Sequence, residues 1–256
     1  MPLNRRQFIK ASLAVATFTL IRPQTVQAGV RRRVRCPVLM YHYVSPLPAD
    51  ADKYRLDLTV LPENFQAHCE YLTENNYRTV TMGQLYAALM RGEKLPPRRV
   101  VMTFDDGYAD AYSEAFPVLR QFGMTGTFFV VRDFMGQAGY MTWAQAGEML
   151  AAGMEIENHS VSHVDLRGLD RDTLHYQIGV AADEIQNQVG RRSRFFCYPG
   201  GRYDALAVQV VQETGHLMAV TTADGLVHTS SDALRMSRAR VRGSTGVQGL
   251  EWLIGR

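Results

Sequence analysis

Thr103-Phe104-Asp105-Asp106-Gly107 sets two carboxylates side by side, and His159-Ser160-Val161-Ser162-His163 follows further along the chain. One carboxylate and two imidazoles form a three-ligand set for a divalent ion that keeps a coordination position open, the usual composition of a catalytic zinc site. Asp106, His159 and His163 supply that set. In an extended stretch Asp105 points away from its neighbour, which leaves it free to act as a general base on water. A bound divalent ion lowers the pKa of its water toward about 7 and polarises a carbonyl oxygen. The His-x-x-x-His spacing puts both rings on one side of a helical turn or at the two ends of a tight loop. Gly107 lets the backbone turn so that both carboxylates reach one place. Taken singly, Asp-Asp-Gly is most often a turn and His-x-x-x-His a solvated or core pair. Together, each after an apolar run, they indicate metal-assisted hydrolysis.

The elements that must position these residues alternate. Strands are predicted at Val34–Tyr41, Arg78–Val80, Arg99–Phe104, Thr127–Val131, Met154–Glu157, Phe195–Tyr198 and Leu217–Thr221. Helices are predicted at Pro62–Asn75, Met82–Arg91, Ala109–Phe122, Thr142–Ala152, Asp170–Val189 and Tyr203–Thr214, and Pro46–Asp57 is a loop by composition. Strand and helix in alternation make a parallel sheet with covering helices. The chemical residues fall at strand ends, where both barrels and doubly wound sheets keep their sites. About seven strand–helix units favour a barrel.

Composition sets the class. The formal charge of +3 has a local origin, because residues 1–28 carry Arg5, Arg6, Lys10 and Arg22 and no acid. The remainder holds 24 basic side chains against 25 acidic ones, so no general basic field points to nucleic acid. Those first residues read as an export signal: a charged start, an apolar run from Ala11 to Ile21, and Val26-Gln27-Ala28 before a cleavage point. Arg5-Arg6-Gln7-Phe8 resembles a twin-arginine signal, which makes the twin-arginine translocase the expected export partner and the periplasm or exterior the expected location. No other stretch is apolar enough to span a bilayer, which takes about 20 residues. Cys36, Cys69 and Cys197 form no CxxC and read as free thiols. The expected organisation is a cleaved signal over residues 1–28 and one catalytic domain over 29–256.

The residues resemble the polysaccharide deacetylases, carbohydrate esterase family 4, from about Cys36 to Ile254. Val38-Leu39-Met40-Tyr41-His42 is similar to the family's opening strand, Thr103–Gly107 to its first motif, Glu155–Leu166 to its second and Phe195–Gly201 to its third. The resemblance implies an α/β fold, a distorted (β/α) barrel, and metal-dependent removal of acetyl groups from an N-acetylglucosamine polymer of the cell wall or a secreted glycan. It implies Asp105 as base, Asp106, His159 and His163 as ligands of a divalent metal, most readily zinc, and Ser160 as a support for the histidine loop. Two positions depart from the pattern. The family's Asp-orienting arginine is replaced by Cys197, and the terminal Leu-x-His is absent. Arg238 is therefore expected near the site, and His42 is the candidate acid. Gly200 is expected to offer a backbone N–H to the oxyanion, and Tyr41, Tyr108, Trp143 and Tyr198 are candidate sugar-stacking rings. Hydrolysis of a small cyclic amide or imide, and glycan binding without catalysis, are the competing readings.

Overall fold

Val38–Tyr41 (β1) is apolar at every position and buried throughout, as a strand covered on both faces must be. Six more parallel strands follow: β2 (Arg99–Phe104), β3 (Thr127–Val130), β4 (Glu155–Asn158), β5 (Phe195–Cys197), β6 (Met218–Asp224) and β7 (Met236–Arg240). The computed structural model describes residues 31–256. The expected export signal at residues 1–28 lies outside the described residues.

Each strand pairs with the next in sequence. Leu39 lies opposite Met102, Thr103 opposite Thr127, Phe128 opposite Ile156 and Asn158 opposite Phe196. Cys197 and Val220 continue the ring, Val220 meets Met236, and Ala239 returns to Leu39, which closes a seven-stranded barrel. The short strand Arg78–Thr79 is added outside β2. The barrel and its covering helices confirm the α/β barrel expected from the alternation.

Side chains alternate across each strand, and this parity sorts the residues. Val38, Val101, Phe129, Cys197, Val220 and Met236 form one buried cluster, the barrel interior. Leu39, Tyr41, Met102, Phe104 and Ile156 face the other way, into a cluster with the helices. His42, Asp105 and Arg238 share the interior parity, two residues on from Met40, Thr103 and Met236.

Several boundaries differ from expectation. Val34–Tyr41 is two strands, Arg33–Arg35 and Val38–Tyr41. The predicted loop at 46–57 contains the helix Lys53–Leu58, capped by Asp52, which accepts from the Arg55 N–H at 2.7 Å. It buries no side chain, so no apolar period announced it. The expected helix Ala109–Phe122 is a π turn over Ala111–Ala115 followed by Phe116–Gln121. Pro117 lacks the N–H that would close an ordinary turn, and Phe116 instead donates to Ala111 O. The helix expected over 170–189 likewise carries a π segment at Tyr176–Val180. Among the described residues no helix is long and apolar enough to cross a membrane.

Two buried histidines make the fold acid-sensitive. His68 bridges Tyr41 Oη at 3.2 Å and Thr245 O at 2.9 Å, and His216 lies 3.0 Å from Thr214 Oγ1 and 3.2 Å from Asn158 Nδ2. Burial pushes both imidazoles down to about 4 from 6.5. The unfolded chain therefore binds more protons between those values, and stability falls as pH drops through that window. Each histidine accounts for at most about 3 kcal/mol. Urea unfolding at pH 7 and pH 4.5 should show a lower midpoint at the acid pH, with the difference reduced in His68→Gln and His216→Gln. An equal pH dependence in both variants would remove these residues from the account.

Candidate active site

β2 ends at Phe104 and the next two carboxylates diverge. The Asp105 N–H is anchored on Tyr41 O at 3.0 Å. Asp106 then takes a left-handed backbone (φ 74°) ahead of Gly107 (φ 79°), a conformation that is uncommon for a residue with a Cβ. This turn sends Asp105 toward the barrel axis and Asp106 toward the histidines.

The histidines stand on a tight loop, not on a helical turn. Asn158 Oδ1 accepts from the Ser160 N–H at 2.8 Å, and Ser160 Oγ accepts from the His163 N–H at 3.0 Å. Ser160 and His163 both have positive φ, 72° and 56°. Ser160 thus closes the loop, as expected.

Asp106 Oδ1 lies 3.3 Å from His159 Nε2 and 3.4 Å from His163 Nε2. His159 Nδ1 is 2.7 Å from Cys197 O. A carbonyl only accepts, so Nδ1 carries the proton and Nε2 is the atom that would offer a lone pair to a metal; without one, burial pushes this imidazole's pKa down but Cys197, Asp106 and Asp105 outweigh it and hold it well above its ordinary value. Asp106 Oδ1 is buried and makes no hydrogen bond. One carboxylate with two imidazoles, and a buried carboxylate oxygen that makes no hydrogen bond, suit a divalent metal. Asp105, His159 and Cys197 also lie close together. That group is a poorer cage, because Arg238 already neutralises Asp105 and His159 Nδ1 is already committed.

Arg238 reaches Asp105 from β7 as a fork. Nη1 donates to Oδ1 and Nη2 to Oδ2, each at 2.7 Å. Nη1 also donates to Thr103 Oγ1 (3.0 Å), Nε to Thr221 O (3.0 Å) and Nη2 to Cys197 Sγ (3.2 Å). The guanidinium is 1% exposed and the Asp105 residue 4%. Burial alone would raise the Asp105 carboxyl, but the guanidinium outweighs it and holds the group below its ordinary value. The orienting arginine thus stands on a different strand from the one where the family pattern keeps it, and the small Cys197 leaves it room.

His42 follows β1, with Nε2 4.0 Å from Asp105 Oδ2. Its Nδ1 is buried without a hydrogen bond. Burial depresses this imidazole, and Asp105 opposes the shift only in part.

The structure does not bring every expected residue to the site. Tyr198 has the opposite parity to Cys197, so its ring is buried against Tyr203, with centroids 4.4 Å apart, and its hydroxyl donates to Leu234 O at 3.0 Å. It is a core residue and not a sugar contact. Tyr41 is likewise core, bonded to His68. Trp143 opens a helix and packs on the main apolar cluster. Gly200 lies in the turn after β5 with φ 58°, a conformation that favours glycine. Tyr108 does border the site: its ring stacks on Tyr43 at 3.6 Å. Thr103 and Thr221 were missed as holders of Arg238, and Tyr43 was missed although it adjoins His42.

A parallel barrel with a carboxylate–imidazole cluster and a guanidinium-held aspartate on one face defines a hydrolase of the carbohydrate esterase type. The comparisons agree. The family profile described as "Polysaccharide deacetylase" matches residues 92–219, which include Asp105, Asp106, His159, His163 and Cys197 but stop short of His42 and Arg238. YxkH of Bacillus subtilis, named as a polysaccharide deacetylase, is 32% identical over 84% of this chain and 74% of its own length. The poly-β-1,6-N-acetyl-D-glucosamine N-deacetylase of Escherichia coli K12 is 23% identical over 75% of this chain, which matches 34% of that protein. The Streptococcus pyogenes deacetylase PplD, solved with acetate, superposes with a TM-score of 0.80 at 26% identity, covering 87% of this chain and 99% of that one. The chain belongs to the polysaccharide deacetylase family and is a hydrolase of non-peptide carbon–nitrogen bonds.

Proposed function

We propose that the protein is an exported, divalent-metal-dependent N-deacetylase that removes acetyl groups from a glycan containing N-acetylglucosamine. The observation that carries this reading is Asp105, held as a carboxylate by Arg238 beside the Asp106–His159–His163 cluster. The E. coli and Staphylococcus epidermidis relatives named for poly-β-1,6-N-acetyl-D-glucosamine support the substrate class. The twin-arginine-like start supports export, where such polymers lie.

Asp106, His159 and His163 would hold the metal, with zinc the first choice for one carboxylate and two imidazoles. When bound, it supplies Lewis-acid polarisation of the acetamide carbonyl and of water. Asp105 takes the proton from the attacking water. Arg238 keeps the carboxylate ionised and fixes its two oxygens. Water oxygen bonds to the carbonyl carbon, and the C–N bond breaks as the leaving nitrogen takes a proton. Asp105 passes the water's proton to His42, whose Nε2 lies 4.0 Å from Asp105 Oδ2, and His42 delivers it to the nitrogen, so that acetate and the free amine depart. Arg238 supplies the guanidinium that Cys197 lacks, which favours catalysis over simple glycan binding.

His42→Ala should lower turnover about 10²-fold, the usual worth of a positioned acid, while bound metal stays at the wild-type level. Unchanged turnover would remove His42 from the mechanism. The function itself is tested by acetate release from chitooligosaccharide and β-1,6-linked N-acetylglucosamine oligomers, with and without chelator. Release that survives complete chelation would count against the metal, and no release from any acetylated glycan would count against the reaction.

A further inference from the structure

The chain leaves β4 at Asn158 and seats two imidazoles on one short loop, and it does so with an unusual backbone. Ser160 and His163 have φ of 72° and 56°, values that persist for a residue with a Cβ only where the surroundings over-determine them. His159 is tied twice. Its N–H donates to Val130 O at 3.0 Å, and its Nδ1 donates to Cys197 O at 2.7 Å. His163 is the half-buried ligand, and its place depends on the main chain around it.

That main chain is held from the π turn Tyr176–Val180. A π turn takes one residue more than an α turn, which frees main-chain carbonyls from the regular ladder. The N–H of Ala181, which in a regular helix would bond Gln177 O, bonds Ile178 O instead. Gln177 O accepts from the Val161 N–H at 3.0 Å, and Ile178 O accepts from Asn158 Nδ2 at 2.8 Å. The Gln177 side chain is 7% exposed and completes the set. Its Oε1 accepts from the Ser162 N–H at 3.1 Å, and its Nε2 donates to Ser162 Oγ at 3.0 Å. Asn158, Val161 and Ser162 thus hang on two adjacent residues of one irregular helix. Among the described residues the Gln177 side chain bonds to Ser162 alone, next to His163 and away from the separately tied His159.

We propose that Gln177 is a positioning residue for the metal site: with its π turn it fixes the His163 end of the ligand loop, and so sets the affinity of the site for a divalent ion. The proposal rests on the ligand set Asp106, His159 and His163 read above.

The test titrates zinc into chelator-stripped protein against a competing chelating dye. Gln177→Met keeps the length of the side chain and loses its hydrogen bonds. Its zinc Kd should rise about tenfold or more, the range for a residue that orients a ligand, while the metal-free protein melts close to the wild-type temperature. Deletion of Gly179 takes the extra residue out of the turn and keeps the helix register on both sides, and it should raise Kd at least as much. In a His163→Ala background Gln177→Met should add no further loss, because its effect passes through His163. A wild-type Kd in either variant would overturn the proposal. So would an equal loss with and without His163, which would mean that Gln177 supports the fold at large. If zinc binds with this dependence but no glycan releases acetate, the reaction assignment fails and the positioning role stands.

Discussion

Replacing Arg238 by alanine is expected to lower kcat by about 10²-fold or more, the range of a positioned general base, while bound metal remains at the wild-type level. The reason is local. Arg238 grips both oxygens of Asp105 at 2.7 Å in a buried place, so its removal frees the carboxylate to rotate and leaves it unpaired. Breaking a buried pair on one side costs about 3–5 kcal/mol, and the variant should melt earlier for that reason. Burial then acts on Asp105 with less to oppose it, so its carboxyl rises. The acid limb of the pH–rate profile should move to higher pH, a change that a merely loosened fold would not produce. Arg238→Lys should rescue little, because one ammonium cannot reproduce the fork that also engages Thr103, Thr221 and Cys197. A variant with wild-type kcat and an unmoved acid limb would show that the pair is structural only.

Asp105→Asn should have a larger effect, about 10³- to 10⁴-fold on kcat, at the upper end of what one proton-transfer group supplies. Asparagine keeps the shape and one acceptor for the Arg238 fork, turns an amide NH2 toward the other guanidinium nitrogen, and cannot take a proton from water. Metal stoichiometry should be unchanged, since Asp106, His159 and His163 form the cluster without it. Asp106→Ala should instead lose metal and activity together. The contrast between adjacent aspartates separates base from ligand, and equal metal loss in both would contradict the division of roles.

The ligand set was legible because Asp106 and His159 each come just after a strand, and His163 stands four residues on in the same loop. Arg238 was legible only as a neighbour of the site. Met236-Ser237-Arg238-Ala239-Arg240 reads as a basic surface segment, because the inward position after Met236 is an arginine and not an apolar residue. Only closure of the barrel between β6 and β1 shows that it is the seventh strand. Tyr198 failed in the opposite sense. An aromatic before Pro199-Gly200 suggests a sugar platform, but a shift of one residue from Cys197 turns it from the interior to the helices. The π turn at Ala111–Ala115 followed from Pro117, a signal present in the chain but outweighed by the helical spacing around it.

The most direct measurement is acetate release from N-acetylglucosamine oligomers, with metal content determined on the same samples, for wild type, chelated wild type and Asp105→Asn. The geometry predicts release by metal-loaded wild type, loss on chelation with recovery on adding a divalent ion, and near-complete loss in Asp105→Asn at full metal content. Acetate released equally by the chelated protein, or by Asp105→Asn, would contradict it.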